Sequence, residues 1–199
     1  MKYKRILLTC LCIITATVML AANKVKTKAA EVKVVNGVTI RVSYLSDDIV
    51  RVVKYPGEGA MPERQSFSVV LKEDGKVNTP NVSATIDGTT GSVTFRSRDG
   101  KVLLRETTAG TMKRYEDGAD KGRMSIAQTW TLDAGEAIYG LGQHQSDEFN
   151  YRDLNENLFQ YNTKVSVPMI VSTRGYGILW DNYSESRWGD ARPYARLNE

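Results

Sequence analysis

The sequence predicts an all-β protein built as an antiparallel β-sandwich. Three observations carry that expectation. Short runs of alternating apolar and polar residues recur about every 8 to 12 residues, with turn residues between them. Asn36-Gly37 stands between two such runs, a strong hairpin signal. No stretch of the chain after the N-terminal apolar run carries a 3.6-residue apolar period of helical length.

The elements follow in order. Val32 and Val34 on one side of Asn36-Gly37, and Val38, Ile40, Val42 and Tyr44 on the other, predict a hairpin. Asp47-Asp48 makes a second turn, and residues 49–55 form a strand that Pro56-Gly57 ends. Residues 58–65 read as a polar loop and 67–72 as a strand closed by Glu73-Asp74-Gly75. Residues 82–86 form a strand closed by Asp87-Gly88. Strands at 93–96 and 102–105 flank the turn Arg98-Asp99-Gly100. Residues 124–132 alternate as one strand and end at Asp133-Ala134-Gly135. Residues 147–157 are polar and acidic, fitting one helical turn or an irregular loop. Residues 165–171 are apolar around Pro168, which cannot donate to a ladder, so the strand is expected at an edge or with a bulge. A last strand covers 176–180 after the Arg174-Gly175 turn, and 187–199 show no strand pattern.

The N-terminus reads as an export signal. Lys2, Lys4 and Arg5 form a positive start, residues 6–22 are uncharged and apolar, and small Ala21 and Ala22 precede polar Asn23. An uncleaved membrane anchor is the runner-up, because 17 apolar residues reach the lower limit for a span. A lipoprotein anchor fits less well, since neither Cys10 nor Cys12 follows a small residue. An exported localisation is expected: periplasmic, cell-surface or extracellular. Both cysteines would leave with the signal, so the mature domain would hold together by its core alone.

The 199 residues carry 27 basic and 23 acidic side chains, a net charge of +4, and three of those cations lie in the first five positions. The remaining Lys and Arg are interspersed with Asp and Glu, so no basic face argues for nucleic acid. At 41% hydrophobic and 25% charged, the chain is of globular composition.

Catalytic signals are sparse. His144 is the single histidine, which with no mature cysteine excludes the ordinary zinc ligand sets. There is no Gly-x-Ser-x-Gly elbow, P-loop or EF-hand loop, and no cofactor is implied. Gly140-Leu141-Gly142 and Gly175-Tyr176-Gly177 lack the third glycine of a dinucleotide loop. In a β context they read as turns with positive φ or close backbone approach. Asp47, Asp48, Glu73, Asp74 and Asp99 stand in turns, which Asp itself stabilises. Asn81 and Asn182 match the glycosylation sequon, relevant only in a eukaryotic secretory pathway. Residues 139–188 interleave aromatics with Asn, Gln and Asp, which suits either sugar recognition or an aromatic core with polar loops.

Over these residues the chain resembles the N-terminal β-sandwich domain of glycoside hydrolase family 31, which includes α-glucosidases and α-xylosidases. The resemblance rests on Ile138-Tyr139-Gly140-Leu141-Gly142, Phe159-Gln160-Tyr161-Asn162, Val167-Pro168 and the run Gly175-Tyr176-Gly177-Ile178-Leu179-Trp180-Asp181-Asn182. Upstream, Asp48-Ile49-Val50-Arg51-Val52 and Arg98-Asp99-Gly100-Lys101-Val102-Leu103 match more weakly. The wording at Gln143-His144-Gln145 and 159–168 resembles the α-xylosidase branch acting on xyloglucan fragments.

The resemblance implies a galactose-mutarotase-like sandwich packed on a (β/α)8 barrel that carries the two catalytic aspartates of a retaining mechanism. The residues predict a signal peptide over 1–22, a tether over 23–30 and the sandwich over 31–186, and the resemblance implies that 187 to 199 start a linker to an absent barrel or inserted module. No catalytic residue is expected in this chain, which is expected to be inactive alone. Its implied partners are an oligosaccharide substrate and the missing barrel of the same protein, with a membrane only if the signal is retained. In the family a loop of this domain reaches the active-site mouth, and its Trp/Phe-Asn-x-Asp stretch matches Phe159-Gln160-Tyr161-Asn162. Asn162 and Gln160 are thereby candidate substrate-binding residues, standing where the family has Asp and Asn. His144 is a third candidate, against the reading as a loop or domain-interface residue. A free-standing carbohydrate-binding module is the alternative function. A mutarotase-like epimerase is disfavoured, because a lone histidine gives it no acid–base pair.

Overall fold

The computed structural model describes residues 28–57, 80–146 and 148–189. The expected signal, the strand at 67–72 with its turn at 73–75, and residues 190–199 lie outside them.

β1 (Lys28–Val35) and β2 (Val38–Tyr44) pair antiparallel, with Val35 opposite Val38. Asn36 and Gly37 take φ of 51° and 73°, the double positive φ that a two-residue hairpin turn requires. β1 begins at Lys28, inside the stretch expected as a tether. β3 (Val50–Pro56) adds to β2 and completes a three-stranded sheet.

β4 (Val82–Ile86), β5 (Val93–Ser97) and β6 (Val102–Glu106) form a meander as expected. β7 (Thr111–Arg114) was not legible in the sequence: it pairs with β8 (Met124–Ala127) in a largely exposed ribbon. β7 is only four residues long, with Met112 alone apolar, so it carries no sustained apolar alternation of its own. The single strand expected at 124–132 is two: the chain breaks at Gln128-Thr129, and β9 (Trp130–Thr131) joins the edge of β6. At the break the Gln128 amide bonds other parts of the chain, with Nε2 donating to Thr108 O and Oε1 accepting from Lys54 Nζ.

The β1–β3 and β4–β6 sheets share one core. Val35, Ile40 and Val42 from the first meet Ala84, Ile86 and Val93 from the second. Ile40, Val42 and Val93 are wholly buried, each contributing about 1.5–3 kcal/mol by leaving water. Lys54 reaches through this region to Glu106 at 2.6 Å and to Ala109 O and Gln128 Oε1.

The second half is built on β10 (Ile138–Gln143), β11 (Glu156–Leu158), β12 (Val165–Ser172), β13 (Tyr176–Leu179) and β14 (Ser186–Trp188). β12 lies between β10 and β13, so it is a central strand, and the edge placement is corrected. The bulge expectation held: the register slips between Gly140 and Gly142, leaving Pro168 out of the ladder while its carbonyl accepts from Trp180 N. Residues 148–155 form an irregular turn-rich loop, not a helix, and Asp147 is not described. β11 then pairs with β14, which takes in Arg187 and Trp188 from the stretch expected as linker. Ile138, Leu141, Tyr151, Leu158 and Ile170 make the second core. The sheets are antiparallel throughout, an all-β architecture consistent with the expected sandwich.

Candidate functional site

The backbone of β10 shapes the site. Gly140, Leu141 and Gly142 have φ of 119°, 65° and 97°, all in the left-handed half of conformational space. A Cβ on Gly140 would run into the Met169 carbonyl oxygen, and one on Gly142 into that of Val165. Both glycines therefore allow β12 to approach at its bulge. The twist turns Leu141 into the core and delivers His144 beneath the loop that precedes β12.

His144 is inside. Its side chain is 2% exposed, Nε2 donates to Leu141 O at 2.7 Å, and its ring meets Tyr151 edge-on at 6.0 Å. Nδ1 lies 3.3 Å from Glu156 Oε1 without forming a hydrogen bond. Glu156 also holds Lys164 Nζ at 2.5 Å, and Lys164 donates again to Asn157 O. A histidine, a glutamate and a lysine thus share one buried site under residues 159–163.

Above that cluster the loop exposes Phe159 and Tyr161, whose rings are 5.3 Å apart and 30° from parallel. Thr163 takes φ of 80°, and Lys164 N donates to Tyr161 O, closing a tight turn around Asn162. Gln160 bonds its own loop at both ends of its amide: Nε2 donates to Lys164 O and Oε1 accepts from Ser166 N. Ser166 Oγ donates to Phe159 O.

Among the three candidate residues, Asn162 stands exposed at the turn apex and Gln160 is also exposed, while the His144 side chain is buried. Gln160 is committed to holding the loop, and His144 is shielded behind Glu156 and Lys164. Phe159, Tyr161, Glu156 and Lys164 were not picked out as site residues. The aromatic pair at spacing two was a readable signal. The lysine was not, since lysine is ordinarily solvated.

A second polar cluster fixes the hairpin between β12 and β13. Glu136 is buried and accepts from the hydroxyls of Ser172 and Tyr176 and from Asp133 N. Burial alone would push its carboxyl up. The two hydroxyls, the Asp133 amide and the charge of Arg174 outweigh that and hold it below its ordinary range. Tyr176 is pushed far up, by burial first and then by Glu136. Arg174 donates to Val102 O and Leu103 O, tying this hairpin to β6, and pairs with Asp133 at 2.9 Å. A shallow cavity of about 310 Å³ lies there, lined by Lys101, Arg105, Thr131, Asp133 and Arg174 among others. Among the described residues no group of three or more His, Cys, Asp or Glu could hold a metal.

One face of the β10–β12–β13 sheet is apolar and open. Val165, Val167, Met169 and Val171 point outward from alternate positions of β12 and are 41–49% exposed, with Leu179 beside Met169. Tyr139 adjoins Val171, and its ring lies 4.9 Å from that of Phe149 at a 50° tilt, with Phe149 79% exposed.

The profile described as the glycosyl hydrolase 31 N-terminal galactose mutarotase-like domain matches residues 39–188. The chain belongs to that family. Within glycosyl hydrolase 31, it is 28% identical over 172 residues to an alpha-xylosidase of Saccharolobus solfataricus, covering 75% of this chain and 23% of that protein. It superposes on the crystal structure of a GH31 alpha-xylosidase from Xanthomonas citri with a TM-score of 0.71 at 30% identity, covering 83% of this chain and 20% of that one. The fold also matches a GH31 alpha-xylosidase from a soil metagenome complexed with xylose, with a TM-score of 0.62 at 22% identity, over 81% of this chain and 29% of that one. The chain therefore spans between 20% and 29% of the length of these relatives. The GH31 profile takes in β14, so residues 187 and 188 belong to the domain.

Proposed function

We propose that this chain is the non-catalytic N-terminal domain of an exported retaining α-glycosidase, an α-xylosidase acting on xyloglucan-type oligosaccharides. It lends the loop 159–163 to a sugar site whose catalytic aspartates belong to a (β/α)8 barrel of the same protein. Alone it is inactive. The observation that carries this reading is the open apolar face of β12 and β13. A strand whose outward positions are Val, Val, Met and Val is built to be covered, because a free domain gains nothing from a contiguous apolar surface. Beside that face the loop offers two aromatic rings and the Asn162 amide, the chemistry that stacks on a pyranose and bonds its hydroxyls.

The test uses the 199-residue chain. Hydrophobic-dye binding and concentration-dependent self-association are expected. A soluble, compact monomer that leaves the dye unbound and binds xylosides by itself would favour a free-standing carbohydrate-binding module. Steady glycoside turnover by the chain alone would end the non-catalytic reading.

A further inference from the structure

Lys164 is a buried lysine at the base of an exposed loop, with a side chain only 7% exposed. Burying an ammonium is costly unless its charge is paired and its protons are bonded. Nζ meets Glu156 Oε1 at 2.5 Å and donates to Asn157 O, both on β11. It also lies 5.4 Å from the centre of the Phe159 ring and 5.9 Å from that of Tyr161. The same residue grips the loop by its backbone: its amide donates to Tyr161 O, and its carbonyl accepts from Gln160. His144 Nδ1 stands 3.3 Å from the same Glu156 oxygen. An apolar side chain of similar volume would fill this space without the cost of desolvating a charge. A cation under two aromatic rings does what that side chain would not: it attracts both ring systems and holds their orientation.

We propose that Lys164 is a positioning residue, whose ammonium, anchored by Glu156, fixes Phe159 and Tyr161 as a flat platform for the C–H face of a pyranose. The inference deepens the proposed function and rests on its reading of residues 159–163 as the sugar-contacting loop. Charge, and not bulk, sets the platform.

The first arm of the test labels the 199-residue chain with 4-fluorophenylalanine. Its four phenylalanines give resolvable fluorine signals, and Phe159→Leu assigns the one needed. Lys164→Met is expected to shift and narrow the Phe159 resonance as the ring is freed, and Lys164→Arg to restore it. Glu156→Gln keeps the volume but loosens the anchor, and is expected to act in the same direction as Lys164→Met. A Phe159 signal unchanged in both Lys164→Met and Glu156→Gln overturns the proposal.

The second arm measures hydrolysis of 4-nitrophenyl α-xyloside by the longer polypeptide that joins this domain to a catalytic domain. Lys164→Met is expected to raise KM at least about fivefold with kcat within about twofold, and Lys164→Arg to recover most of the loss. If the Phe159 signal moves while KM stays constant, the positioning role stands and the sugar-contact reading of the loop fails.

Discussion

The guanidinium of Arg51 on β3 lies 2.8 Å from the carboxylate of Asp181, just after β13, and joins the two halves of the molecule across 130 positions of sequence. Both side chains are partly buried, and the second oxygen of Asp181 is shielded from solvent without a partner. Arg51→Ala leaves that carboxylate uncompensated. A loss of about 1–2 kcal/mol is expected, read by urea unfolding, with a smaller loss for Arg51→Lys.

Gly140 and Gly142 are replaceable only at high cost. Gly140→Ala and Gly142→Ala each combine a positive φ with a collision against the β12 backbone. Each is expected to lose about 3 kcal/mol or more in thermal unfolding. Gly135 has φ of 74° but open space around its Cβ direction, so Gly135→Ala is expected to lose only about 1–2 kcal/mol. Equal losses at all three would remove close approach as the reason for the motif.

Glu136 gives the fold an acid limit. A carboxyl held below its ordinary value of 4.5 binds its proton less tightly folded than unfolded. Its stabilisation is complete above about 4.5 and is lost as pH falls through that value toward the folded one. Glu136→Gln is expected to lower stability at pH 7 by about 1–3 kcal/mol and to flatten the decline below pH 4.5. Chemical denaturation of both proteins from pH 3 to 7 checks the slope.

The Lys54–Glu106 pair has the opposite sign. Burial pushes the Glu106 carboxyl above its ordinary 4.5, against the opposing pull of Lys54 and the Val93 amide. The folded state therefore holds this proton more tightly than the unfolded state, and the contribution declines as pH rises from below 4.5 through the raised value. Lys54→Met strands a buried carboxylate and is expected to cost about 3–5 kcal/mol at pH 7. The loss is expected to shrink near pH 4, where protonation relieves the stranded charge. A constant loss across that range would count against the ion pair as its cause.

Val171→Thr with Met169→Gln changes only the outward face of β12. Dye binding is expected to fall while unfolding stability stays within about 0.5 kcal/mol of the parent. A large loss of stability would mean that these side chains are already packed within the domain.

Much of the fold was legible because its signals are local. Asn36-Gly37 specifies its turn by the φ values those residues tolerate, and the runs on either side specify their faces by alternation. β7 and β11 escaped notice because they are short and lack a sustained apolar alternation. Pro168 announced an irregularity but not its place: the ring removes one donor, and only the sheet shows that a central strand absorbs the gap by bulging. For the candidate site, the expectation of substrate binding at Asn162 remains a proposal; the structure places its amide at an exposed turn, ties the exposed Gln160 amide to its own loop, and buries the His144 ring.

By itself the sequence determined the all-β class, the hairpins and the block of motifs that marks the family, since backbone preference and side-chain alternation are properties of neighbouring residues. Tertiary structure alone decided that Lys164 and His144 are buried, that Glu156 lies between them, and that the Val and Met side chains of β12 face outward. Charge burial depends on partners brought from other strands, and a strand of alternating residues looks the same whichever of its faces the rest of the chain covers.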